Sequence, residues 1–600
     1  MPRTLPSSPE RPFPLVLTSH AGHGCDERKL AVFPAGIGAR FAVQDMGVHA
    51  RETLGAFEDW TPVFEGPLVP GPDAFGPCLL GDFSALATPG LYRVVVPGTD
   101  ARSVHFPVHD GVLAPLPRLL LDSVHRSRCG DFEDETRGPC HLDDGVLSES
   151  GRPVDATGGW HDAGDTRKWM VHTLVPLLGF AELRRRLGWR PGAHWARAPW
   201  DDDVADEVAW GAAFALKMQD PATGMIWEDV GGGGGARLAA VRWWYENHAG
   251  CGGDNSENRF TDNVRGSGDE RRVREQYNPI AQYVAVSVLC RAASLVEAGD
   301  REIAARYRAA AGRAWTFVRG RRGDDFHGWT SVRSWRVHAA LDLAAAGLGP
   351  ADEPVAAVAH LLDLADPETS FFFNDTTRRQ PFRGILHSAQ PLAALAAFAE
   401  ANPGHAMAEV ARAFLARAFR EYVEPLRSLS PFGIVPFGLY RDPPATRDRY
   451  RPWRDSLFVR FLMPDDSETR INHGLAGHWT SWAHALAAGG RLLGETAWRE
   501  AALDQLHWLL GRNPFGASFV TGVGLGHPLP HSSYDGVRLG GVMNGPRGAC
   551  DDQPFADLEL RCDWGSGEYW NLPLGNLLQA LAHLLPARVP AARKLGRRER

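Results

Sequence analysis

From about residue 119 onward the chain repeats one pattern, and that repetition narrows the fold more than anything else in it. Windows with apolar residues at i, i+3, i+4 and i+7 recur at Trp169–Leu187, Val204–Met218, Pro279–Ala298, Ile303–Arg319, Val332–Ala346, Glu353–Leu364, Ala389–Ala401, Ala406–Tyr422, His473–Leu493, Ala497–Leu510 and Leu572–Leu585. Each is an amphipathic helix whose apolar face needs a partner. Ala-rich faces such as AARYRAAAGRAW (304–315) and PLAALAAFAEA (391–401) let neighbours approach closely. An array of helical hairpins closed into a ring hides every such face, so the expectation is a mainly α domain over 119–587. Its long loops (219–277, 365–387, 424–470 and 512–568) are where function belongs on a rigid frame.

The N-terminal stretch, 1–110, reads differently. LAVF (30–33), ARFAVQD (39–45) and LYRVVVP (91–97) are short β-type runs, and turns at VPGPDAFGP and ATPG separate them. About seven such strands suit an immunoglobulin-like β-sandwich over 1–110. HDGVLAPLPR supplies a Pro-containing linker at 111–118, and 588–600 is a basic tail. The net charge of −8 lacks the basic footprint of a nucleic-acid binder. No run of 18 apolar residues suggests a membrane span. Pro12 and Pro14 break the only apolar stretch near the start, so as written the chain reads as cytoplasmic, or as secreted if its start site is misassigned.

The segment GGWHDAGDTRKW (158–169) carries the clearest chemistry. Asp162 and Asp165 share a glycine-bracketed turn just before a helix. One carboxylate can orient a water while the other takes its proton; capping of the helix is the plainer role for such a pair. This segment resembles the DAGD signature of glycoside hydrolase family 9. DEVAWGAAFALKMQDPATGMIWEDV (206–230) is similar to the family's helix and Gln-Asp-Pro loop, NPFGASFVTGVG (513–524) with HPLPH (527–531) to its substrate-binding loop, and GDFSALATPGLYRV (81–94) to the immunoglobulin-like module found before many of its catalytic domains.

The resemblance implies an (α/α)6 barrel preceded by a small β-sandwich. It implies an inverting hydrolase of β-1,4-linked glucan or gluco-oligosaccharides, with Asp165 as base and Asp162 as its partner in holding water. The acid belongs in WGSGEYWNLPLGNLLQAL (564–581), where Glu568 is the candidate and Glu559 and Asp563 are reserves. Two departures stand out. Gly567 replaces the family's Asn before the acid, and Ser533 stands where an Arg usually follows the histidines. The second suggests altered sugar recognition. An exo-acting β-glycosidase on cello- or glucosamine-oligosaccharides is therefore the alternative within the class. A catalytically impaired carbohydrate-binding protein is the alternative outside it.

His531, Trp160 and Trp570 are the substrate-binding candidates, because indoles cover the C–H face of a pyranose. Trp243, Trp244, Tyr245, Trp329, Trp335, Trp453 and Trp479 are further aromatic candidates. Cys129, Cys140, His141 and His161 carry the two-thiol, two-imidazole chemistry of a closed tetrahedral zinc centre, with His172 as the other choice for the fourth ligand. Such a centre would brace the loop that presents the aspartates. The acidic, Gly-rich loop 251–270 suits calcium in composition but lacks a defined ligand spacing. No organic cofactor is expected, and the partner is an oligo- or polysaccharide.

Overall fold

A computed structural model describes residues 16–46, 62–134, 136–231, 259–323, 325–464, 473–559 and 563–586. Trp243, Trp244, Tyr245, Cys251, Cys562 and the basic tail lie outside the described residues.

Among the described residues the N-terminal part is a six-stranded antiparallel sheet built from β1 (Leu30–Pro34), β2 (Arg40–Asp45), β3 (Pro62–Pro70), β4 (Cys78–Asp82), β5 (Gly90–Val95) and β6 (Phe106–Val108). Their order is β1-β4-β3-β2-β5-β6. β3 runs along β2 from Pro62 to Pro67 and along β4 from Leu68 to Pro70, so the sheet folds over along this strand. Phe33, Phe41, Phe83, Tyr92 and Phe106 fill the enclosed core.

Twelve long helices follow among the described residues. They are α1 (Leu116–Arg126), α2 (Met170–Leu187), α3 (Asp203–Lys217), α4 (Pro279–Val296), α5 (Arg301–Gly320), α6 (Thr330–Ala345), α7 (Glu353–Leu362), α8 (Gln390–Ala401), α9 (Ala406–Ala418), α10 (Ala476–Leu493), α11 (Thr496–Leu509) and α12 (Asn571–Leu584). The even-numbered helices pack side by side, and α12 returns to α2. The odd-numbered helices lie outside, each against its hairpin partner, with α1 outside α12. This is the (α/α)6 barrel. α4 is long and apolar enough to cross a membrane by length and composition, yet here it is a buried wall of the inner ring. An inner helix is enclosed on nearly all sides, so it needs no polar stripe.

α1 is the helix that the sequence pattern did not announce. Pro115 and Pro117 make 109–118 look like a linker, but proline is tolerated in the first turn, where no intrahelical N–H is needed. The helix therefore begins inside the segment read as a connector, and it completes the sixth hairpin.

The ring closes through glycine. A Cβ on Gly179 of α2 would lie 2.4 Å from the Leu578 Cβ of α12, and one on Gly575 would lie 2.7 Å from the Pro176 nitrogen. The β-module is fastened to the barrel by Asp504 of α11. This buried carboxylate holds Arg28 from the N-terminal part together with Arg427 at 2.8 Å and Arg512 at 2.5 Å.

The seam makes a prediction with opposite signs at two helical glycines. Gly179→Ala overpacks the α2–α12 contact and lowers stability by about 1–3 kcal/mol. Gly312→Ala on α5, where a Cβ meets nothing within 4 Å, raises it by about 0.5–1 kcal/mol. Urea midpoints of the two variants check both signs.

Candidate active site

The sequence from Gly158 to Trp169 runs over the N-terminal end of α2. Gly158 and Gly159 take positive φ, 88° and 71°, which turns the chain inward. Lys168–Trp169 then pairs with Asp229–Val230 in a small four-stranded sheet that fixes the far side of the turn.

Asp162 is buried at 3% exposure. Its Oδ1 accepts the Trp169 N–H at 2.8 Å, and its carbonyl accepts the N–H of Asn571, the first residue of α12, at 2.9 Å. Burial pushes its carboxyl up to about 7, against the pull of Arg167 and the Trp169 N–H. Oδ2 lies 3.2 Å from His172 Nδ1. Trp570 Nε1, which can only donate, lies 2.9 Å from the same nitrogen, so Nδ1 is the unprotonated side of the ring. The 3.2 Å contact is thus a hydrogen bond when Asp162 carries the proton.

Asp165 is partly exposed, and its Oδ1 accepts the Arg167 N–H at 3.1 Å. Arg167 turns its guanidinium to the buried Asp229, which Arg274 also binds. That fixed positive charge stands beside both aspartates.

Glu568 reaches this turn from just before α12, at the far end of the barrel sequence, and the approach explains Gly164. A Cβ there would lie 2.1 Å from the His531 carbonyl oxygen and 2.9 Å from Glu568 Cγ. Loop 531–534 clamps the same turn: Ser533 N–H donates to the Gly164 carbonyl at 2.7 Å and Tyr534 O–H to the Ala163 carbonyl at 3.0 Å. His531 pairs with Glu568 as an isolated β-bridge, its N–H on the Gly567 carbonyl at 3.0 Å. Burial, and then the charges of Asp165 and Asp162, hold the Glu568 carboxyl well above the usual carboxylate range. The site thus sets a partly exposed Asp165 beside a carboxyl whose pKa is raised. Glu559 is exposed and Asp563 pairs with Arg547 at 3.0 Å, so neither reserve takes the place of Glu568 at this turn.

Trp570 is half-buried, 5.3 Å from the His473 ring, and Trp564 stands exposed beside His473. His473, Trp169, Trp564 and Tyr534 were not singled out from sequence; Trp169 and Trp564 flank the two motifs, which was the available signal. Trp160 corrects an expectation. Its ring is wholly buried against Gly211 and its Nε1 donates to Glu207 at 2.6 Å, so it has no face for a sugar. Trp335 and Trp479 are likewise core residues.

Cys129, Cys140, His141 and His161 are all buried, and their donor atoms lie within 4.8 Å of one another. Two short backbone pairings assemble them, Arg128 with Trp160 and Gly130 with Cys140. Cys129 Sγ is 3.4 Å from His141 Nδ1, and Cys140 Sγ is 3.7 Å from His161 Nε2. Zn–S near 2.3 Å and Zn–N near 2.05 Å would set a tetrahedral S···N edge at about 3.6 Å, between those two values. The opposite nitrogen of His141 donates to the Arg259 carbonyl at 2.8 Å, the outer hydrogen bond that orients a ligating imidazole. The residues therefore fit a closed four-ligand centre. His172 belongs instead to Asp162 and Trp570.

Gly164→Ala tests the clamp. The added methyl cannot coexist with the His531 carbonyl, so the turn must shift; a displacement near 1 Å in such a site costs about 100-fold in rate. The check is kcat on any turned-over substrate, read beside an intact cooperative melt.

Residues 122–365 match the family model described as Glycosyl hydrolase family 9. A cellodextrinase of Butyrivibrio fibrisolvens is 32% identical over 169 residues, 27% of this chain and 29% of that protein, so the chain matches under a third of that relative's length. A metagenome-derived family 9 endoglucanase superimposes with a TM-score of 0.67 at 19% identity, covering 95% of this chain and 98% of that one. A Zn-binding triple mutant of the family 9 endoglucanase J30 gives 0.65 at 22% identity, covering 94% and 100%. The matched segment, 122–365, holds the DAGD turn of glycosyl hydrolase family 9, and the chain shares the fold of that family's solved endoglucanases almost end to end.

Proposed function

We propose that this protein is an inverting O-glycosyl hydrolase acting on β-1,4-linked glucan or gluco-oligosaccharides. The observation that carries this reading is the Gly164 contact, which sets an acid of raised pKa against a turn bearing two aspartates. Asp165 takes the proton of the attacking water, and Asp162 orients that water. Glu568 delivers its proton to the leaving oxygen. His531 offers its side chain to a sugar hydroxyl, and Trp570 offers its ring face.

Cys129, Cys140, His141 and His161 would hold a structural zinc. Bound there, the ion would pin the strap that ends one residue before Asp162. Calcium has less support: Asp143, Asp262 and Asp269 cluster, but their oxygens already accept from Thr261, the Asp262 N–H and Ser267.

Within the class, endo cleavage is the first reading. Ser533 favours the exo alternative: where the family places an Arg, its N–H and hydroxyl are turned to the Gly164 carbonyl, so no cation follows His531 to hold a neighbouring sugar. A proton NMR time course on cellopentaose, repeated with a chitosan oligomer, tests both readings. Fresh α-anomer with mid-chain products supports inverting endo cleavage. Stepwise terminal loss, or turnover of chitosan alone, supports the exo reading. Fresh β-anomer overturns the roles of Asp162 and Asp165.

Three outcomes follow from these roles. Asp165→Asn and Glu568→Gln each lower kcat on the turned-over substrate by about 10²–10⁴-fold with little change in melting temperature; the binding-protein alternative expects no turnover to lose. The acid works protonated, so kcat/KM falls as pH rises through the raised pKa of Glu568, and Glu568→Gln removes that alkaline limb. Purified protein carries one zinc per chain by elemental analysis, Cys140→Ser loses it, and chelation lowers the melting temperature.

A further inference from the structure

At the end of the barrel opposite the aspartates lies a cavity of about 440 Å3. The DAGD turn, Trp329, His473 and Trp570 all precede inner helices, whereas this cavity is lined from all six inner helices, chiefly from their C-terminal halves. Glu182, on its wall, is about 18 Å further along α2 than Met170.

The charges of the lining are met by one another or by a close neighbour. Arg185 binds Glu182 at 2.7 Å, Arg186 binds Glu400 at 2.8 Å, and Arg291 binds Asp342 at 2.9 Å. Arg184 binds Asp202, just outside the lining, at 2.5 Å. Arginines at these positions also face the negative ends of their helices. Between the pairs stand three histidines from three helices, His338, His484 and His583, the last two with rings 5.7 Å apart. Burial first, then the charge of Arg291, pushes His338 down to about 3, and burial pushes His484 down to about 4. Neutral imidazoles each offer one donor and one acceptor. His338 is only 6% exposed, and its Nε2 has no hydrogen-bond partner; neither has Nδ1 of His583. Alanines 393, 396 and 488 and Leu341 supply smooth apolar wall.

We propose that this cavity is a second carbohydrate site, taking a neutral mono- or disaccharide separately from the catalytic cleft. An anion or a cation would enter a lining whose charges are already matched, and would find no counter-charge. A sugar brings hydroxyls that donate and accept, as the histidines, Gln579 and Ser294 do, and C–H faces for the alanine wall. The volume lies within the range of small-molecule sites. The ligand class is the product class of the proposed reaction, but the site is read by binding, so failure of either reading shows separately.

The test is calorimetric titration of the full chain, in an Asp165→Asn background, with glucose and with cellobiose. The expected result is two classes of site. Ser294→Trp, at the exposed mouth, weakens one class at least tenfold and leaves the other unchanged. Ala396→Phe, which fills the interior, does the same. In the otherwise native chain both variants keep a cooperative melt and the native rate on whichever oligosaccharide is turned over. A single class, or two classes that both survive in folded Ser294→Trp, overturns the proposal. So does displacement of the second class by inorganic phosphate or by a short diamine, which would make the site ionic.

Discussion

The fold and the site depend on one short row of hydrogen bonds where the first inner helix meets the last. Asn571 gives its backbone N–H to the Asp162 carbonyl at 2.9 Å and its side-chain amide to the His161 carbonyl at 3.0 Å and to Ser127 Oγ at 3.2 Å. Through this one residue the last barrel helix is tied to the strap, to the cysteine–histidine cluster and to the DAGD turn. The close approach of α12 to α2 beneath it is what the glycines permit. Glu568, which shortly precedes Asn571, is delivered to Asp165 by the same closure.

Below the turn a buried ionic lattice does the stiffening. Asp144 holds Arg271 and Lys168, and Asp229 holds Arg167 and Arg274, with each of these side chains almost wholly enclosed. Losing one member would leave an unpaired buried charge, which is far more costly than the pair is stabilising. Arg271 also reaches Cys129 Sγ at 3.8 Å, so the lattice touches the cysteine–histidine cluster next to Asp162. The electrostatics of cluster, lattice and carboxylates form one continuous body.

Much of this was legible in the sequence because it is local. The helical windows are periodic, and each of them appears as a helix with its ends shifted by a few positions. DAGD and the cysteine–histidine strap are compact motifs. α1 was hidden because its two prolines read as a linker when the tertiary partner is unseen. Trp160 was misjudged because neighbourhood in sequence to Asp162 says nothing of which side of the turn a ring takes; Gly211, on α3, makes the slot that swallows it. The charged cavity at the far end was invisible for a stronger reason. It takes side chains from six helices that run from α2 to α12, and no segment carries more than a fragment of it.

Closure through Asn571 also has a consequence in time. His161 and Asn571 are 410 residues apart, and at about 5–20 residues per second a ribosome needs roughly 20–80 s to travel between them. During that interval the nascent chain already holds both cysteines, both histidines and the two aspartates, with no α12 to shelter them. The thiols of the strap are then most open to oxidation, and the inner face of α2 is most open to other chains. A protein whose last barrel helix closes onto its first inner helix is one whose birth is more hazardous than its working life.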